Sequence, residues 1–145
     1  MVKVAINGFG RIGRLTLRRI LENHPDLEVV AINDLASLDN IAYLLKHDSV
    51  YGDFEKEISF GKGASAGAIG SLLIEGGRIL VFSEPAPLNL PWEELGIDLV
   101  IESTGRFTHR KEAVKHLEAG AKKVIISANS KDADLSVVLG VNEKD

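Results

Sequence analysis

The sequence has no cysteine among its 145 residues, and it contains only one tryptophan, one methionine and four prolines. Without cysteine, the chain can form no disulfide, offer no thiolate nucleophile and supply no thiolate ligand to zinc. The same absence fits a reducing, cytoplasmic environment. Disulfides and structural metals are also unnecessary for folding, because a domain of this length buries roughly two thirds of its unfolded surface.

Long apolar runs and an excess of basic residues are absent as well. No stretch approaches the ~20 consecutive apolar residues of a membrane-spanning helix. The stretch VKVAIN carries a charge inside its short apolar run, unlike a signal peptide. Lys and Arg number 17 against 21 Asp and Glu, a net charge of −4. We therefore expect a cytoplasmic protein whose main partner is neither nucleic acid nor a membrane.

The apolar pattern predicts strands that alternate with helices in both halves of the chain. Predicted strands cover residues 2–7, 27–33, 98–103, 122–127 and 135–141, and predicted helices cover residues 11–23, 37–47 and 109–120. Such alternation is typical of a parallel α/β sheet. We predict one α/β domain over residues 1–145, a Rossmann-type doubly wound parallel sheet of strand order 3-2-1-4-5-6 in which strand 98–103 lies beside strand 2–7.

Residues 50–92 are less regular, and we predict that they add antiparallel strands at one edge of the sheet. The Gly-Gly pair at 76–77 is a hairpin signal. The prolines of segment 84–92 are predicted to exclude helix there. The glycine-rich stretch 60–73 lacks the Gly-Lys-Ser/Thr spacing of a phosphate loop, so we interpret it as an insertion in the hairpin region.

The first predicted strand runs into GFGRIG, in which Gly8, Gly10 and Gly13 have the spacing of a dinucleotide-binding motif. The motif alone is weak, but here it follows a strand, opens a helix, and precedes Asp34 at the end of the second strand. Gly8 allows a tight turn, Gly10 lets the backbone approach a pyrophosphate, and Gly13 allows close helix–strand packing. Asp34 can bind both hydroxyls of the adenosine ribose and repel a 2′-phosphate, which favours NAD over NADP. The alternative is a glycine turn that binds no dinucleotide.

Six blocks of this sequence resemble, in order, the NAD-binding amino-terminal half of the glyceraldehyde-3-phosphate dehydrogenase family. They are VAINGFGRIGR, VVAINDL, YLLKHDSVYG, LPWEELGIDLVIESTGRF, HLEAGAKKVIISA and VVLGVN, which together span residues 4–142. The resemblance implies that NAD is the cofactor and that the backbone at Gly10, Arg11 and Ile12 holds its pyrophosphate. It implies further cofactor-binding residues at the ends of the strands. These are Asn33 and Asp34 at the adenosine, and Ser103, Thr104, Gly105 and Ser127 along the cleft.

One departure from the family pattern concerns the adenine. The family has Glu-Arg-Asp-Pro where this sequence has Glu84, Pro85, Ala86 and Pro87. The arginine that borders the adenine in the family is therefore missing, which predicts weaker NAD binding than is usual for the family.

The resemblance also implies where the chemistry of the family lies. Its nucleophile is a cysteine a few residues beyond residue 145, paired with a histidine farther along. We therefore expect residues 1–145 to be an NAD-binding domain without the catalytic domain, and to be inactive alone. The full-length protein is expected to be a homotetrameric glycolytic enzyme that oxidises D-glyceraldehyde 3-phosphate to 1,3-bisphosphoglycerate with NAD and phosphate. Two alternatives stay open: the same domain of an erythrose-4-phosphate dehydrogenase, and a stand-alone, non-enzymatic nucleotide-binding module.

No catalytic residue and no metal site is assigned within the chain. His109 and His116 lie seven positions apart, which is not the i, i+4 spacing of zinc-binding helices, so we expect a solvated helix face. Ser103 and Ser127 lack the His–Asp pattern of a hydrolase. Trp92 is predicted to be a packing anchor.

Overall fold

A computed structural model describes residues 1–63 and 65–144, and within them the chain folds into alternating strands and helices. The strands are β1 (Val2–Asn7), β2 (Leu27–Asn33), β3 (Ile58–Lys62), β4 (Gly70–Ile74), β5 (Gly77–Phe82), β6 (Leu99–Glu102) and β7 (Lys123–Ile126). The helices are α1 (Arg11–Asn23), α2 (Leu38–Lys46), α3 (Trp92–Leu95) and α4 (Arg110–Glu118). The predicted α/β class is confirmed. No helix among these residues is both long and apolar enough to cross a membrane.

The strands form one sheet of order β3-β4-β5-β2-β1-β6-β7. β1 pairs in parallel with β2 on one side and with β6 on the other. β2 pairs in parallel with β5, and β6 pairs in parallel with β7. This gives the first five positions of the predicted order, 3-2-1-4-5, with β6 beside β1 as predicted. The sheet is therefore of the Rossmann type.

The predicted sixth strand does not form. Residues 135–141 lie outside the sheet, and Leu139 is 86% exposed. The backbone of this segment finds local partners instead, because the Val138 carbonyl accepts hydrogen bonds from the N–H groups of Val141 and Asn142. The Asn142 side chain accepts a hydrogen bond from the Val138 N–H and donates one to the Ser136 carbonyl. An apolar β-branched sequence is thus not sufficient for a strand without a neighbouring strand to pair with.

The middle segment supplies the antiparallel edge that the sequence predicts. β3 pairs antiparallel with β4, and β4 with β5. The β4–β5 hairpin turns through Glu75 and Gly76, which both have positive φ, as a type I′ turn requires. The glycine-rich insertion 60–73 falls on the β3–β4 hairpin, and Ala64 within it lies outside the described residues.

The sheet has an apolar layer on each face. α1 and α2 cover one face with side chains such as Leu17 and Ile41. On the other face Trp92, which is fully buried as predicted, packs with Leu90 and Ile97. The proline-rich segment does contain helix, contrary to prediction: a 3₁₀ turn spans Pro87–Asn89, and α3 begins at Trp92, after Leu90 and Pro91. Proline is tolerated there, since the first N–H groups of a helix need no partner within it.

Candidate functional site

The carboxyl ends of four parallel strands meet at one edge of the sheet. The register pairs Asn7 at the end of β1 with Asn33 on β2 and with Glu102 on β6. Glu102 is in turn paired with Ile126 on β7. The loops that begin after these residues therefore start side by side, and they carry the predicted site residues. Ligands of open parallel sheets bind at this position.

The glycine motif forms a tight turn between β1 and α1. Gly8 has φ +90°, and a Cβ on it would lie 2.5 Å from the Thr104 nitrogen. A Cβ on Gly13 would collide with the Gly8 carbonyl oxygen. Gly10 is different, because a Cβ there would meet nothing within 4 Å. The fold itself therefore requires glycine at positions 8 and 13 but not at position 10.

The N-terminus of α1 opens toward the edge of the sheet. Gly10 is its N-cap residue and makes no side-chain capping bond, and Gly10, Arg11 and Ile12 are all exposed. The first N–H groups of an α-helix have no acceptor within the helix, and they carry a partial positive charge. This geometry is suited to an anionic group such as a pyrophosphate.

Asp34 follows β2 and is fixed against the glycine turn. Its Oδ2 accepts a hydrogen bond of 2.7 Å from the Phe9 N–H, and its Oδ1 accepts one of 2.9 Å from the Ala36 N–H. Each carboxylate oxygen can accept a second hydrogen bond. A negative charge with free acceptor capacity is therefore held beside the turn.

Asn33 is placed differently from what a direct cofactor contact would require. Its side chain is buried, and its Nδ2 donates to Asn7 Oδ1 at 2.7 Å and to the Glu84 carbonyl at 2.9 Å. Its Oδ1 accepts from the Glu84 N–H at 2.9 Å. Asn33 thus anchors the backbone immediately before Pro85, the position where the family arginine is missing.

The remaining predicted residues lie on the two loops after β6 and β7. The Ser103 N–H donates to the Asn7 carbonyl at 2.7 Å, which ties the first loop to β1. Ser127 Oγ donates to Ser103 Oγ at 3.2 Å, so the two loops are in contact. Gly105 has φ +70°, a conformation that favours glycine. The structure thus brings the glycine turn and Asp34 to the same edge of the sheet as the loops with Ser103 and Ser127.

Sequence reasoning missed a buried polar cluster beneath these loops. His116 is fully buried rather than on a solvated face, so that prediction was wrong. Its ring contacts Glu102 Oε2 at 2.8 Å and the Trp92 indole nitrogen at 3.0 Å. His109 is exposed, 3.7 Å from Asp132. A signal for this cluster was present in the sequence, because Asn7 and Glu102 end two apolar strands. A polar side chain that is buried at such a position requires polar partners.

Glu102 is ionised in this environment. Burial acts to raise its pKa, but hydrogen bonds from His116, Thr104 and Asn7 outweigh burial and hold the pKa below its ordinary value. No group of three or more His, Cys, Asp or Glu side chains suited to a metal ion occurs within the described ranges. The site is therefore one of backbone N–H groups, hydroxyls and a carboxylate.

The lowered pKa predicts how stability depends on pH. The ionised Glu102 stabilises the folded state above the pKa that it has in the unfolded chain, about 4.3, and this stabilisation is lost as the pH falls through the lower folded value. We expect Glu102→Gln to unfold at lower urea concentration than the wild type near neutral pH. The difference in urea midpoint between the wild type and Glu102→Gln should shrink as the pH falls below about 4. Urea titrations at a series of pH values test this, and a difference independent of pH would contradict it. The other carboxyls titrate in both proteins, so their contributions cancel in the difference between the two.

Comparison with known proteins agrees with this geometry. The family described as "Glyceraldehyde 3-phosphate dehydrogenase, NAD binding domain" matches residues 2–110. Glyceraldehyde-3-phosphate dehydrogenase of Geobacillus stearothermophilus is 54% identical over 142 residues, which are 98% of this chain and 40% of that protein. The enzyme of Thermotoga maritima is 53% identical over 144 residues, 99% of this chain and 41% of that protein. The one from Clostridium pasteurianum is 52% identical over 145 residues, 100% of this chain and 41% of that protein.

These matches cover the glycine turn, Asp34 and the loop after β6, which all fall within residues 2–110. The chain spans about two fifths of the length of these relatives. Its cofactor is NAD, as the resemblance predicted. The chain belongs to the family of NAD-binding domains of glyceraldehyde-3-phosphate dehydrogenase.

Proposed function

We propose that this chain is the cofactor-binding part of a phosphorylating, NAD-dependent glyceraldehyde-3-phosphate dehydrogenase. NAD accepts a hydride in such an enzyme, and the residues described here bind and orient it. In this proposal the N–H groups at the start of α1 hold the pyrophosphate, and Asp34 accepts hydrogen bonds from the adenosine ribose. The loops with Ser103 and Ser127 line the remainder of the cleft. The whole protein acts as a homotetramer in the cytoplasm.

The observation that carries this placement is the unused space at Gly10. Its backbone is extended, with a negative φ of −76° and a ψ of −157°, and a Cβ would meet no protein atom within 4 Å. Glycine here therefore serves no packing need of the fold. A ligand that approaches the backbone closely, as a pyrophosphate does at the second glycine of this motif, supplies the missing reason.

Two alternatives are weighed against this proposal. The relatives named above are called glyceraldehyde-3-phosphate dehydrogenases, which favours that enzyme over an erythrose-4-phosphate dehydrogenase. The second alternative is a stand-alone nucleotide-binding module. A gene that continues into a cysteine-containing catalytic domain would decide between the enzyme and the module.

The first prediction concerns Gly10. We expect Gly10→Ala to leave the urea midpoint of unfolding unchanged or slightly higher, because alanine reduces the freedom of the unfolded chain. The Kd for NAD, measured by calorimetry, should rise by roughly tenfold or more, since the Cβ occupies the path of the pyrophosphate. Gly61→Ala is the matched control, because its Cβ also meets nothing within 4 Å and lies on the distant β3. Equal NAD affinity in both variants would contradict the placement.

The second prediction concerns the choice between NAD and NADP. The wild type should bind NAD more tightly than NADP, because the Asp34 carboxylate repels a 2′-phosphate. In Asp34→Ala the ratio of the two Kd values should approach one, with the affinity for NAD reduced. Asp53→Ala changes the net charge equally at an exposed position and should keep the wild-type ratio. A wild type that binds both dinucleotides equally would contradict the role of Asp34.

The third prediction concerns activity. Residues 1–145 purified alone should produce no NADH from glyceraldehyde 3-phosphate and inorganic phosphate, because they contain no cysteine to form the covalent adduct that expels hydride. The assay needs protein free of host dehydrogenase, and Gly10→Ala purified in parallel reveals any contamination. NADH formation that scales with the wild-type chain and is lost in Gly10→Ala would show that these residues are a working enzyme.

A further inference from the structure

Three polar side chains form a buried row beneath the candidate site. Asn33, Asn7 and Glu102 end the neighbouring strands β2, β1 and β6, and the register pairs Asn7 with each of the others. All three are at most 5% exposed. Because paired residues of parallel strands point to the same face, the three side chains lie side by side, with His116 of α4 against Glu102.

Glu102 is the acceptor between Asn7 and His116, and through His116 the row continues to Trp92. Its Oε2 accepts from Asn7 Nδ2 at 2.6 Å and from His116 Nε2 at 2.8 Å. Its Oε1 accepts from the Thr104 backbone nitrogen at 2.9 Å and from Thr104 Oγ1 at 2.5 Å. An ionised carboxylate only accepts hydrogen bonds, so it fixes which atom of each partner points toward it.

This orientation is transmitted from Glu102 to the backbone on the adenosine side. Because Asn7 directs its amide nitrogen at Glu102, its oxygen must face Asn33, whose Nδ2 donates to it at 2.7 Å. The oxygen of Asn33 then faces the Glu84 N–H, which donates to it at 2.9 Å. A backbone N–H can only donate, so this end of the row is also fixed.

The same logic holds in the direction of the helix. Trp92 Nε1–H can only donate, and it donates to His116 Nδ1 at 3.0 Å. The proton of the neutral imidazole therefore lies on Nε2, which donates to Glu102. The row ends in two groups that can only donate, the Glu84 N–H and the Trp92 indole N–H, and between them lies a group that can only accept, the Glu102 carboxylate. Only one arrangement of its amides and its imidazole satisfies every member.

The row also fixes the loop that faces the cofactor. The Thr104 backbone rests against Gly8 so closely that no side chain fits between them. Thr104 is held in that position by two hydrogen bonds to Glu102. The loop after β6, the glycine turn and the backbone at Glu84 are thus tied to one buried carboxylate.

We propose that Glu102 and His116 are positioning residues of the NAD site, which orient the loop after β6 and the Glu84 backbone through this single hydrogen-bonded row. The proposal rests on the proposed function, which places NAD at this edge of the sheet. A consequence is that a cofactor pressing on the Thr104 loop perturbs Trp92, although Trp92 is fully buried. The row supplies the physical connection between them.

The first arm of the experiment uses the wild type. The chain contains one tryptophan, so a spectrum of ¹⁵N-labelled protein shows a single indole N–H signal. We expect this signal to shift on saturation with NAD. No shift at saturation would overturn the proposal, and this arm needs no variant to fold.

The second arm uses Glu102→Gln. Glutamine has an NH₂ group where Glu102 has a second acceptor oxygen, so one of the surrounding donors now faces another donor. If the Asn7 amide rotates so that its oxygen accepts from this NH₂ group, the Asn7 NH₂ group faces the NH₂ group of Asn33. Rotating Asn33 in turn points its NH₂ group at the Glu84 N–H. We expect roughly tenfold weaker NAD binding, the size expected for a lost hydrogen bond to a charged group. NAD at saturation should no longer shift the indole signal.

Val100→Ala is the matched control. It removes buried volume from the same strand and the same apolar layer without touching the row, so it should lower stability but keep the NAD affinity and the indole shift. Asp34→Ala separates the two proposals. If Asp34→Ala weakens NAD binding and Glu102→Gln does not, the positioning role is wrong and the site stands. If neither variant weakens binding, the proposed site itself is wrong.

Discussion

The close contact between three backbone segments is the constraint on which the rest of the structure depends. The turn at Gly8 lies against Ser103 and Thr104, and α1 begins so near that Gly13 abuts the Gly8 carbonyl. Neither contact leaves room for a side chain. β1 can therefore sit at the centre of the five parallel strands, paired on both sides, while the chain leaves it directly into a helix. The space at this edge is defined by backbone atoms, and backbone N–H groups are the donors that a pyrophosphate requires.

A second constraint follows from placing charge beneath this contact. Burying an ionised carboxylate such as that of Glu102 carries a desolvation penalty that is offset only when the carboxylate is fully hydrogen-bonded. Here four donors converge on the carboxylate, and the Trp92 indole satisfies the far nitrogen of the imidazole. An apolar side chain in place of the carboxylate would leave Thr104 and Asn7 without the acceptor that fixes their orientation. The polar row therefore adds order to the edge of the sheet more than it adds stability.

The two faces of the sheet have different roles: one stabilises the fold, and the other supports the candidate site. The face under α1 and α2 is a continuous apolar layer, whose burial stabilises the fold. The opposite face is apolar around Trp92 and becomes polar toward the carboxyl ends of the strands. The site lies at the polar end, supported by a network rather than by apolar packing. A rigid apolar layer and an ordered polar edge together hold the loops in place.

The sequence by itself determined the elements whose signals are local. Apolar runs marked β1 and β2, and an apolar helical spacing stopped by a proline marked α1. The spacing of Gly8, Gly10, Gly13 and Asp34 marked the dinucleotide-binding unit. Tertiary structure alone decided the burial of His116 and the absence of a strand at 135–141. It also turned Asn33 inward as a support instead of an open contact. The physical reason is sequence separation: Asn7 meets Glu102, 95 positions away, and His116 meets Trp92, 24 positions away, and no local pattern encodes such meetings.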